Sequence, residues 1–230
     1  MGFDFDLQAA HYENILGPSH KYYMKQKKDL LLRCIREKRL NTKIILDVGC
    51  GTGELERNLA NRLEMIGVDL TASMLHVAKH KYRDCEFLRA SCNKLPFRDS
   101  AFTMVLVVNV LHHLEMSDRQ ALFSEVSKKL APGGHVIVFE HNPKNPFTRK
   151  VVRGCEVDKG VVLLNTKEVT SLAKANKIDK VDIEYLTFFP AVLSFLDSLE
   201  RRMQRLPLGG EFMFLGRRSY DADVTSSVCH

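Results

Sequence analysis

The sequence lacks the features that mark secreted, disulfide-bonded and membrane-spanning proteins. Its six cysteines include no Cys-x-x-Cys pair, so the sequence predicts neither a zinc clip nor a disulfide framework. No apolar run approaches the ~18 residues that cross a bilayer. The first residues, MGFDFDLQAAHYEN, are acidic and polar and lack the basic and apolar segments of a signal peptide. We therefore expect a cytoplasmic protein with reduced thiols.

The composition is close to that of an ordinary folded domain. Hydrophobic residues make up 45% and charged residues 27% of the 230 residues, which excludes a disordered or collagen-like chain. The length suits one domain with appendages. We predict a single domain over residues 1–230, with a helical cap or lid at 1–40, a cofactor-binding half at 41–145 and a substrate-side half at 146–230. The net charge of +6 is compatible with anionic partners but does not require them.

Short β-type runs alternate with helix-length segments through the middle of the chain. The candidate strands are Lys43 to Val48, Met65 to Asp69, Glu86 to Arg89, Phe102 to Asn109 and His135 to Glu140. Continuous apolar runs such as MVLVVNV are typical of parallel strands that are buried on both faces. Right-handed crossovers then place helices on either side of the sheet. The pattern predicts a doubly wound α/β domain.

Further elements lie before and after this alternating region. The segment Leu7 to Leu40 has a basic, helical pattern and predicts an N-terminal cap. In this cap Tyr12, Tyr22 and Tyr23 are candidates for a lid over a ligand. The later predicted elements are a helix Asp118 to Leu130 with an Ala-Pro-Gly-Gly turn after it, a helix ending at Ala175, a strand Val181 to Phe188, a helical stretch Ala191 to Leu206 and a strand Glu211 to Arg217.

The clearest motif is the run IILDVGCGTG at residues 44–53, in which a strand leads into glycines and then a helix. Glycines there let the backbone turn sharply and approach a ligand closely. A dinucleotide-binding turn would carry its third glycine where Glu54 stands, and this acid would repel a pyrophosphate at the helix start. Asp69 ends the next strand, twenty positions after Gly49, where a carboxylate can accept both ribose hydroxyls. These residues predict a nucleoside ligand without phosphates.

Five features together resemble the class I S-adenosylmethionine-dependent methyltransferases over nearly all of the chain. They are the glycine turn with Asp47 before it, Asp69, the Thr-Ala-Ser-Met-Leu stretch from Thr71, Leu95 to Phe97, and Leu111 to Leu114. The Glu-His-Asn-Pro sequence after the fifth strand is similar to that of a subset of methyltransferase type 11-like proteins. The resemblance implies a Rossmann-like fold with a mostly parallel seven-stranded sheet, S-adenosyl-L-methionine as cofactor and S-adenosyl-L-homocysteine as product.

The resemblance also implies which residues bind the cofactor. Gly49 and Gly51 would pack against its methionine part, and Asp69 would take the ribose diol. The full set is Asp47, Gly49, Cys50, Gly51, Asp69, Leu70, Met74, Ser91, Cys92 and Asn109. Ser91 stands where the family commonly has an aspartate that accepts from the adenine amine. Because a hydroxyl has no charge to assist that contact, we expect it to be weaker here.

We expect the acceptor beyond the carboxyl ends of the fourth and fifth strands. Methyl transfer from a sulfonium needs an in-line approach, a dry pocket and removal of a proton from a hydroxyl or ammonium acceptor. His141 is the candidate general base, because it directly follows a buried strand and imidazole titrates near neutral pH. His112 is the second candidate catalytic residue. The candidate substrate-pocket residues are His113, Glu140 and Asn142.

Several alternative classes are weighed against these features. No metal site is predicted, because His76 and His80 share a helix face without a third ligand. A cofactor-binding regulatory module without turnover stays open, since no residue is an unmistakable base. A nucleic-acid base methyltransferase is disfavoured, because residues 109–112 read Asn-Val-Leu-His where such enzymes carry Asn or Asp followed by Pro-Pro-aromatic. A nicotinamide oxidoreductase is disfavoured by Glu54.

The C-terminal half suggests a source for the acceptor. An apolar stripe with helical spacing lies beside Arg201, Arg202 and Arg205. Its members are Val192, Phe195, Leu196, Leu199, Met203 and Leu206. Such a stripe is ordinarily core or lid, but an interfacial helix would settle on anionic lipid. We therefore expect a small-molecule, lipid-linked or glycan acceptor, no strong nucleic-acid partner and peripheral contact with an anionic membrane, and we predict no oligomeric state.

Overall fold

The computed structural model describes residues 4–59 and 62–220. The strands are β1 (Ile45–Val48), β2 (Met65–Asp69), β3 (Glu86–Arg89), β4 (Phe102–Val108), β5 (Leu130–His141), β6 (Ile178–Leu186) and β7 (Glu211–Arg218). The α-helices are α1 (Phe5–Gln8), α2 (Tyr12–Ile15), α3 (His20–Lys38), α4 (Glu54–Leu59), α5 (Ala72–Lys81), α6 (Met116–Lys129), α7 (Pro146–Gly154), α8 (Thr166–Ala175) and α9 (Asp197–Met203). Turns of 3-10 helix cover Ala9–His11, Leu111–His113 and Ala191–Leu196.

The strands form one seven-stranded sheet in the order β3-β2-β1-β4-β5-β7-β6. The pairs from β3 to β5 are parallel. Strand β7 runs antiparallel to both of its neighbours, β5 and β6. The predicted doubly wound, mostly parallel seven-stranded sheet is therefore confirmed.

Alternate side chains of the central strands form two cores, one on each face of the sheet. On one face, Val105 and Val107 of β4 pack among residues of β5, α6 and α8. On the other face, Met104 and Leu106 pack among residues of β5, α3 and α4. Because helices cover both faces, the apolar run of the fourth strand is buried along most of its length, as its composition predicts.

The predicted N-terminal helical cap is confirmed, but the segment from Leu7 to Leu40 is divided into several helices. The long helix is α3, which begins only at His20 and is preceded by the short helices α1 and α2 with a 3-10 turn between them. Gly17 adopts a φ of +81°, and Pro18 has no amide hydrogen with which to continue a helix. The Gly17-Pro18 dipeptide is thus a helix-breaking signal that the pattern of basic and apolar residues concealed.

Two boundaries of the central strands also differ from prediction. Strand β4 ends at Val108, because Asn109 adopts a left-handed φ of +55°. Strand β5 begins at Leu130 rather than at His135. The predicted Ala-Pro-Gly-Gly turn is an irregularity within this strand, because the β4–β5 register shifts there before regular pairing resumes at His135.

The C-terminal elements are displaced or shorter than predicted. Strand β6 covers 178–186 rather than 181–188, since Thr187 adopts a φ of +62°. The helical stretch predicted for 191–206 is divided. A 3-10 segment with a non-helical Leu193 comes first, α9 follows, and the helix ends at Met203.

The functional motifs meet at the carboxyl ends of β1, β2 and β4. Strand β1 lies between β2 and β4, so the chain crosses in opposite directions from it and leaves a crevice at this switch point. Among the described residues, no helix is both long and apolar enough to cross a membrane.

Candidate active site

The turn after β1 is kept open by its glycines. Gly49 has a φ of +81°, and a Cβ at this position would collide with Cγ2 of Val110. Gly51 has a φ of +55°, and no atom lies within 4 Å of where its Cβ would be. One glycine therefore permits close packing against the next strand end, and the other leaves the turn facing open space.

Asp69, the last residue of β2, is held by two backbone donors. Its Oδ2 accepts a hydrogen bond from the Gly51 amide at 2.9 Å, and its Oδ1 accepts one from the Thr71 amide at 2.8 Å. A carboxylate offers about four acceptor sites, so each oxygen keeps capacity for another donor. Beside it, Leu70 is 62% exposed and Met74 is buried. This geometry fits the predicted contact with a ribose diol.

Two buried acceptors near the glycine turn have no partner. Within the described residues, no hydrogen bond reaches Oδ1 of Asp47 or Oδ1 of Asn109. Burial raises the pKa of Asp47 to about 7, a shift that a hydrogen bond with Glu56 limits and the charge of Asp69 reinforces. Buried acceptors are normally paired. These two atoms therefore fit a ligand that brings donors and positive charge, as the ammonium-bearing methionine end of the predicted cofactor does.

Glu56 is a second buried acid behind Asp47, and sequence reasoning missed it. It is fully buried in α4, and burial together with the charge of Asp47 raises its pKa well above its usual value. A Cβ at Gly67 of β2 would lie 2.5 Å from Oε1 of Glu56, so glycine is needed there to accommodate the acid. When it is protonated, Glu56 can donate a hydrogen bond to Asp47.

The loop after β3 places Ser91 and Cys92 at the edge of the crevice. The Ser91 hydroxyl oxygen accepts from the Asn93 amide at 3.3 Å. The side chain of Asn93 in turn donates to Asp118 at 2.7 Å. These bonds fix the loop that the resemblance assigns to the adenine edge.

A cavity of about 280 Å³ joins these elements, close to the lower end of the range of about 300–1,000 Å³ for small-molecule sites. All ten predicted cofactor residues line it, and so does His113. Residues 112, 140, 141 and 142 are not among its lining residues.

The N-terminal turns cover this cavity. Tyr12 lines it, and two contacts join the same segment to α5. Ser73 Oγ donates to Oδ1 of Asp6 at 2.8 Å, and Lys81 pairs with Glu13 at 2.6 Å. The short helices at the start of the predicted cap therefore form the covering wall.

The other two candidate lid tyrosines lie outside the cavity lining. Tyr22 donates its hydroxyl hydrogen to Asp197 at 2.6 Å, and the ring of Tyr23 packs edgewise on that of Tyr22 with centroids 5.5 Å apart. At the start of α3, His20 bonds to Glu54 at 2.6 Å. The acid that disfavours a phosphate ligand is thus paired with an imidazole.

Three histidines surround one carboxylate beside the cavity. Asp158 Oδ1 lies 3.5 Å from Nε2 of His112 and 3.7 Å from Nε2 of His113, and Asp158 Oδ2 lies 3.8 Å from Nε2 of His141. Sequence reasoning missed Asp158. It lies between α7 and α8, in a segment for which the sequence analysis named no functional residue.

Two further carboxylates stand behind these histidines. Glu140 is fully buried, and it accepts from Nδ1 of His112 at 2.6 Å and from the Leu111 amide at 2.7 Å. Glu211 lies 3.5 Å from Nδ1 of His141 and pairs with Lys27 at 2.7 Å. The predicted pocket residue Glu140 therefore contacts a histidine rather than the cavity.

The three histidines are not all in the same charge state. Burial alone would lower the pKa of His112, but Glu140 and Asp158 raise it to about 10. Burial and the charge of His112 lower the pKa of His113 to about 4. Burial, followed by the charge of His112 and opposed by Glu211, also lowers the pKa of His141. At neutral pH His112 is therefore charged and the other two are neutral, so His112 cannot act as a base in this arrangement.

Asn142, the remaining predicted pocket residue, is used in a loop contact. Its side-chain nitrogen donates to the carbonyl oxygen of Gly209 at 2.8 Å. Asn145 caps α7 and donates to the carbonyl oxygen of Leu208 at 2.7 Å. The two Asn-Pro steps therefore join α7 to the 207–210 loop. This placement argues against a pocket role for Asn142, which stays a prediction.

Comparison with known proteins identifies similarity to methyltransferases. A family profile described as "Methyltransferase domain" matches residues 45–134. The chain is 25% identical to human Probable tRNA methyltransferase 9B over 136 residues, which cover 58% of this chain and 29% of that protein. It is 32% identical to Demethylmenaquinone methyltransferase of Thermotoga maritima over 117 residues, which cover 49% of this chain and 50% of that protein. The chain thus spans half or less of the length of these two relatives.

The fold has close counterparts among solved structures. A chain in the complex between the Haloferax volcanii Trm112 methyltransferase activator and a methyltransferase superposes with a TM-score of 0.70 at 17% identity. The match covers 96% of this chain and 100% of that one. At this identity the likeness establishes the fold alone.

Proposed function

The chain belongs to the class I S-adenosylmethionine-dependent methyltransferases, and from this premise we propose that the whole protein methylates a small-molecule or lipid-linked acceptor. The observation that carries the proposal is the buried Oδ1 of Asp47, which no hydrogen bond reaches within the described residues and which lies in the same cavity as Asp69 and the glycine turn. A cavity lined by these two acids fits a ligand that carries both a positive charge and a diol.

Each part of the cofactor has residues suited to it. Asp47 and Asn109 would accept from the ammonium group, and Asp69 would accept from the ribose hydroxyls. Leu70 and Met74 would flank the adenine. S-Adenosylmethionine, when bound, supplies an electrophilic methyl group on a positively charged sulfur. The chain's part is to hold that group still and dry.

The acceptor side centres on the histidines around Asp158. His113 opens on the cavity, and His141 lies behind it between Asp158 and Glu211. Removal of an acceptor proton, where it is needed, would fall to this cluster. His141 stays the predicted general base, and full turnover by His141→Gln would remove that role.

Binding of S-adenosylhomocysteine tests the cofactor site. We expect it to raise the Tm of the wild-type protein, whereas NAD should not. Asp69→Asn should bind it about 10–100-fold more weakly, since a hydrogen bond to a charged group contributes about 1.5–3 kcal/mol. Asp84→Asn is the matched control, because Asp84 is exposed outside the cavity. The absence of any shift with S-adenosylhomocysteine would contradict the proposal.

Turnover separates an enzyme from a binding module. We would incubate the protein with methyl-labelled S-adenosylmethionine and, separately, a small-metabolite extract, a lipid extract or total tRNA. Label in the metabolite or lipid fraction supports the proposal. Label in tRNA would favour the alternative suggested by similarity to a relative named as a tRNA methyltransferase. Binding with no transfer to any fraction would identify a regulatory module.

An exposed apolar surface supports a lipid-linked acceptor. Phe147 and Val151, one turn apart on α7, are 78% and 70% exposed. Leu208 is 64% exposed, and Asn145 joins its carbonyl to the start of α7. We call Phe147, Val151 and Leu208 the α7 patch. Exposed basic residues of the same segment are Lys144, Arg149, Lys150 and Arg153. Apolar side chains with basic neighbours fit the surface of an anionic membrane.

Vesicle flotation tests this contact. The wild-type protein should float with anionic vesicles at low salt and less at high salt, because basic residues supply part of the attraction. Phe147→Glu should reduce flotation. Val181→Glu is the matched control, since Val181 is 45% exposed on β6 outside the patch. Equal flotation by both variants, or none by the wild type, would exclude the α7 patch as a membrane contact.

A further inference from the structure

The cluster beside the cavity has the geometry of a metal-ligating site. The Nε2 atoms of His112, His113 and His141 approach the Asp158 carboxylate at 3.5, 3.7 and 3.8 Å. For the two adjacent histidines and Asp158, the donor atoms all lie within 4.8 Å of one another. Around a tetrahedral ion with bonds of about 2.0–2.1 Å, neighbouring donor atoms lie roughly 3.3 Å apart. The three distances from the histidines to Asp158 exceed this value by only about 0.2–0.5 Å, whereas the donor atoms of the two adjacent histidines would have to move closer together and Asp158 would have to turn to share one oxygen with His141.

The atoms behind the cluster orient two of the rings for such a role. Glu140 accepts from Nδ1 of His112 at 2.6 Å, which leaves Nε2 of that ring directed at Asp158. Glu211 stands 3.5 Å from Nδ1 of His141, and Lys27 fixes Glu211 at 2.7 Å. Metal-bound histidines almost always place their second nitrogen against a carboxylate, a carbonyl or water. Here each of two rings has its own carboxylate.

The charge balance of the cluster also favours a cation. Glu140, Glu211 and Asp158 are three mostly buried carboxylates. Among the described residues that form ion pairs with them, Lys27 is the only lysine or arginine. The nearby Arg119 donates to the carbonyl oxygens of residues 111 and 162 instead. Buried charges require compensation. When the three histidines are neutral, as metal ligands must be, the three carboxylates and Lys27 carry a net charge of −2, which a divalent ion would balance.

We propose that His112, His113, His141 and Asp158 bind a divalent first-row transition metal ion. Three imidazole nitrogens and one carboxylate oxygen suit Zn²⁺, Fe²⁺ or Co²⁺ better than Mg²⁺ or Ca²⁺, which prefer oxygen ligands. The site was hidden in the sequence, because its ligands come from three separate segments. The pair His76 and His80, which the sequence analysis excluded as a metal site, lies exposed on α5.

The position of the site suggests what the ion does. His113 is both a proposed ligand and a residue of the cofactor cavity. By expanding from four ligands to five, an ion held beside the cavity would bind the oxygen of an acceptor hydroxyl as a Lewis acid and make that hydroxyl more acidic. With its Nε2 bound to the ion, His141 would no longer act as the base, so the proton would leave to solvent. The oxygen's electron pair would then form the new bond to the methyl carbon while the methyl–sulfur bond breaks and S-adenosylhomocysteine leaves. This consequence rests on the proposed methyltransferase function, whereas metal binding does not.

Titration of the chelator-treated, full-length protein tests the proposal. We expect one Zn²⁺ per chain by calorimetry and visible absorption bands of low-symmetry Co²⁺ when Co²⁺ is the probe. Loss of a residue that supports a metal ligand costs about 10–100-fold in metal affinity. Asp158→Asn and His113→Gln change ligands themselves, so each should weaken Zn²⁺ binding by at least this factor. The matched control His76→Ala/His80→Ala should bind Zn²⁺ as the wild type does. No stoichiometric binding, or equal binding by Asp158→Asn and the wild type, would overturn the site.

A parallel titration with S-adenosylhomocysteine keeps the two proposals distinct. Asp158 is not among the residues that line the cofactor cavity. Asp158→Asn should therefore lose Zn²⁺ and keep S-adenosylhomocysteine, which also shows that the variant is folded. Zn²⁺ binding in a protein that ignores S-adenosylhomocysteine would support the metal site and refute the methyltransferase proposal.

Discussion

The cofactor side and the acceptor side of this crevice are built in different ways. On the proposed cofactor side, backbone amides of short turns fix the acid, as the amides of Gly51 and Thr71 fix Asp69. On the proposed acceptor side, Asp158 meets histidines that follow two different strands, and the side chains of Glu140 and Glu211 support two of these histidines. A local motif can specify the first arrangement, whereas only the folded chain assembles the second.

The largest expected effect is a loss of stability caused by a substitution in the glycine turn of the cofactor side. Gly49→Val forces a side chain into Val110 at a φ of +81°. Close packing and the left-handed backbone together should cost about 2–5 kcal/mol in the free energy of unfolding. Denaturant titration measures the loss. Gly154→Ala, at a helix end with no atom within 4 Å of its Cβ, should change stability little. Equal losses would mean that the turn is not tightly constrained.

The second prediction is that stability and cofactor affinity depend on pH through Asp47 on the cofactor side. Because burial raises the pKa of Asp47 from its usual 3.8 to about 7, folding retains a proton that the unfolded chain releases between these values. The free energy of unfolding should therefore decline from about pH 4 to pH 7 through this group. Cofactor affinity should change in the opposite sense, rising about tenfold per pH unit up to pH 7, because the ligand's ammonium needs the ionised acid.

Calorimetry of S-adenosylhomocysteine binding across this range measures that dependence. Glu56→Gln is the matched control, because burial and the charge of Asp47 raise the pKa of Glu56 well above its usual value and glutamine retains a donor toward Asp47. It should keep the wild-type profile, whereas Asp47→Asn should flatten it. An unchanged profile in Asp47→Asn would assign the pH dependence to another group.

A smaller effect sharpens the contrast on the acceptor side. Asn142→Ala leaves the buried carbonyl of Gly209 without its donor, so the free energy of unfolding should fall by about 1–3 kcal/mol. The affinity for S-adenosylhomocysteine should stay unchanged. Thermal unfolding and calorimetry measure the two quantities. A normal Tm together with a raised acceptor KM would instead restore the predicted pocket role of Asn142.

The smallest effect is a gain on the cofactor side. Ser91→Asp restores the acid that the family commonly carries at the adenine edge, and a charge-assisted hydrogen bond is about twice as strong as a neutral one. We expect roughly three- to tenfold tighter binding of S-adenosylhomocysteine. Ser171→Asp, exposed on α8 and outside the cavity lining, is the control. Weaker binding by Ser91→Asp would place the adenine elsewhere.

These differences explain what could be predicted from the sequence. Apolar strands that alternate with helices, together with the glycine turn, predicted the sheet. All ten residues predicted to bind the cofactor line one cavity. Asp158, Glu211 and Lys27 were not predicted as functional, because no sequence spacing relates them. Lys27 lies on α3, Asp158 between α7 and α8, and Glu211 at the start of β7. Glu56 was missed for another reason, since an acid early in a helix usually remains at the surface.

The placement of β7 affects how the protein forms during synthesis. It inserts between β5 and β6 rather than at an edge of the sheet, and it carries the Glu211 that pairs with Lys27 near the start of the chain. Until residues 211–218 leave the ribosome, β5 has no partner on that side and His141 lacks its supporting acid. The nascent protein can therefore form the half proposed to bind the nucleoside early, whereas the histidine cluster around Asp158 is complete only after β7 has been synthesised.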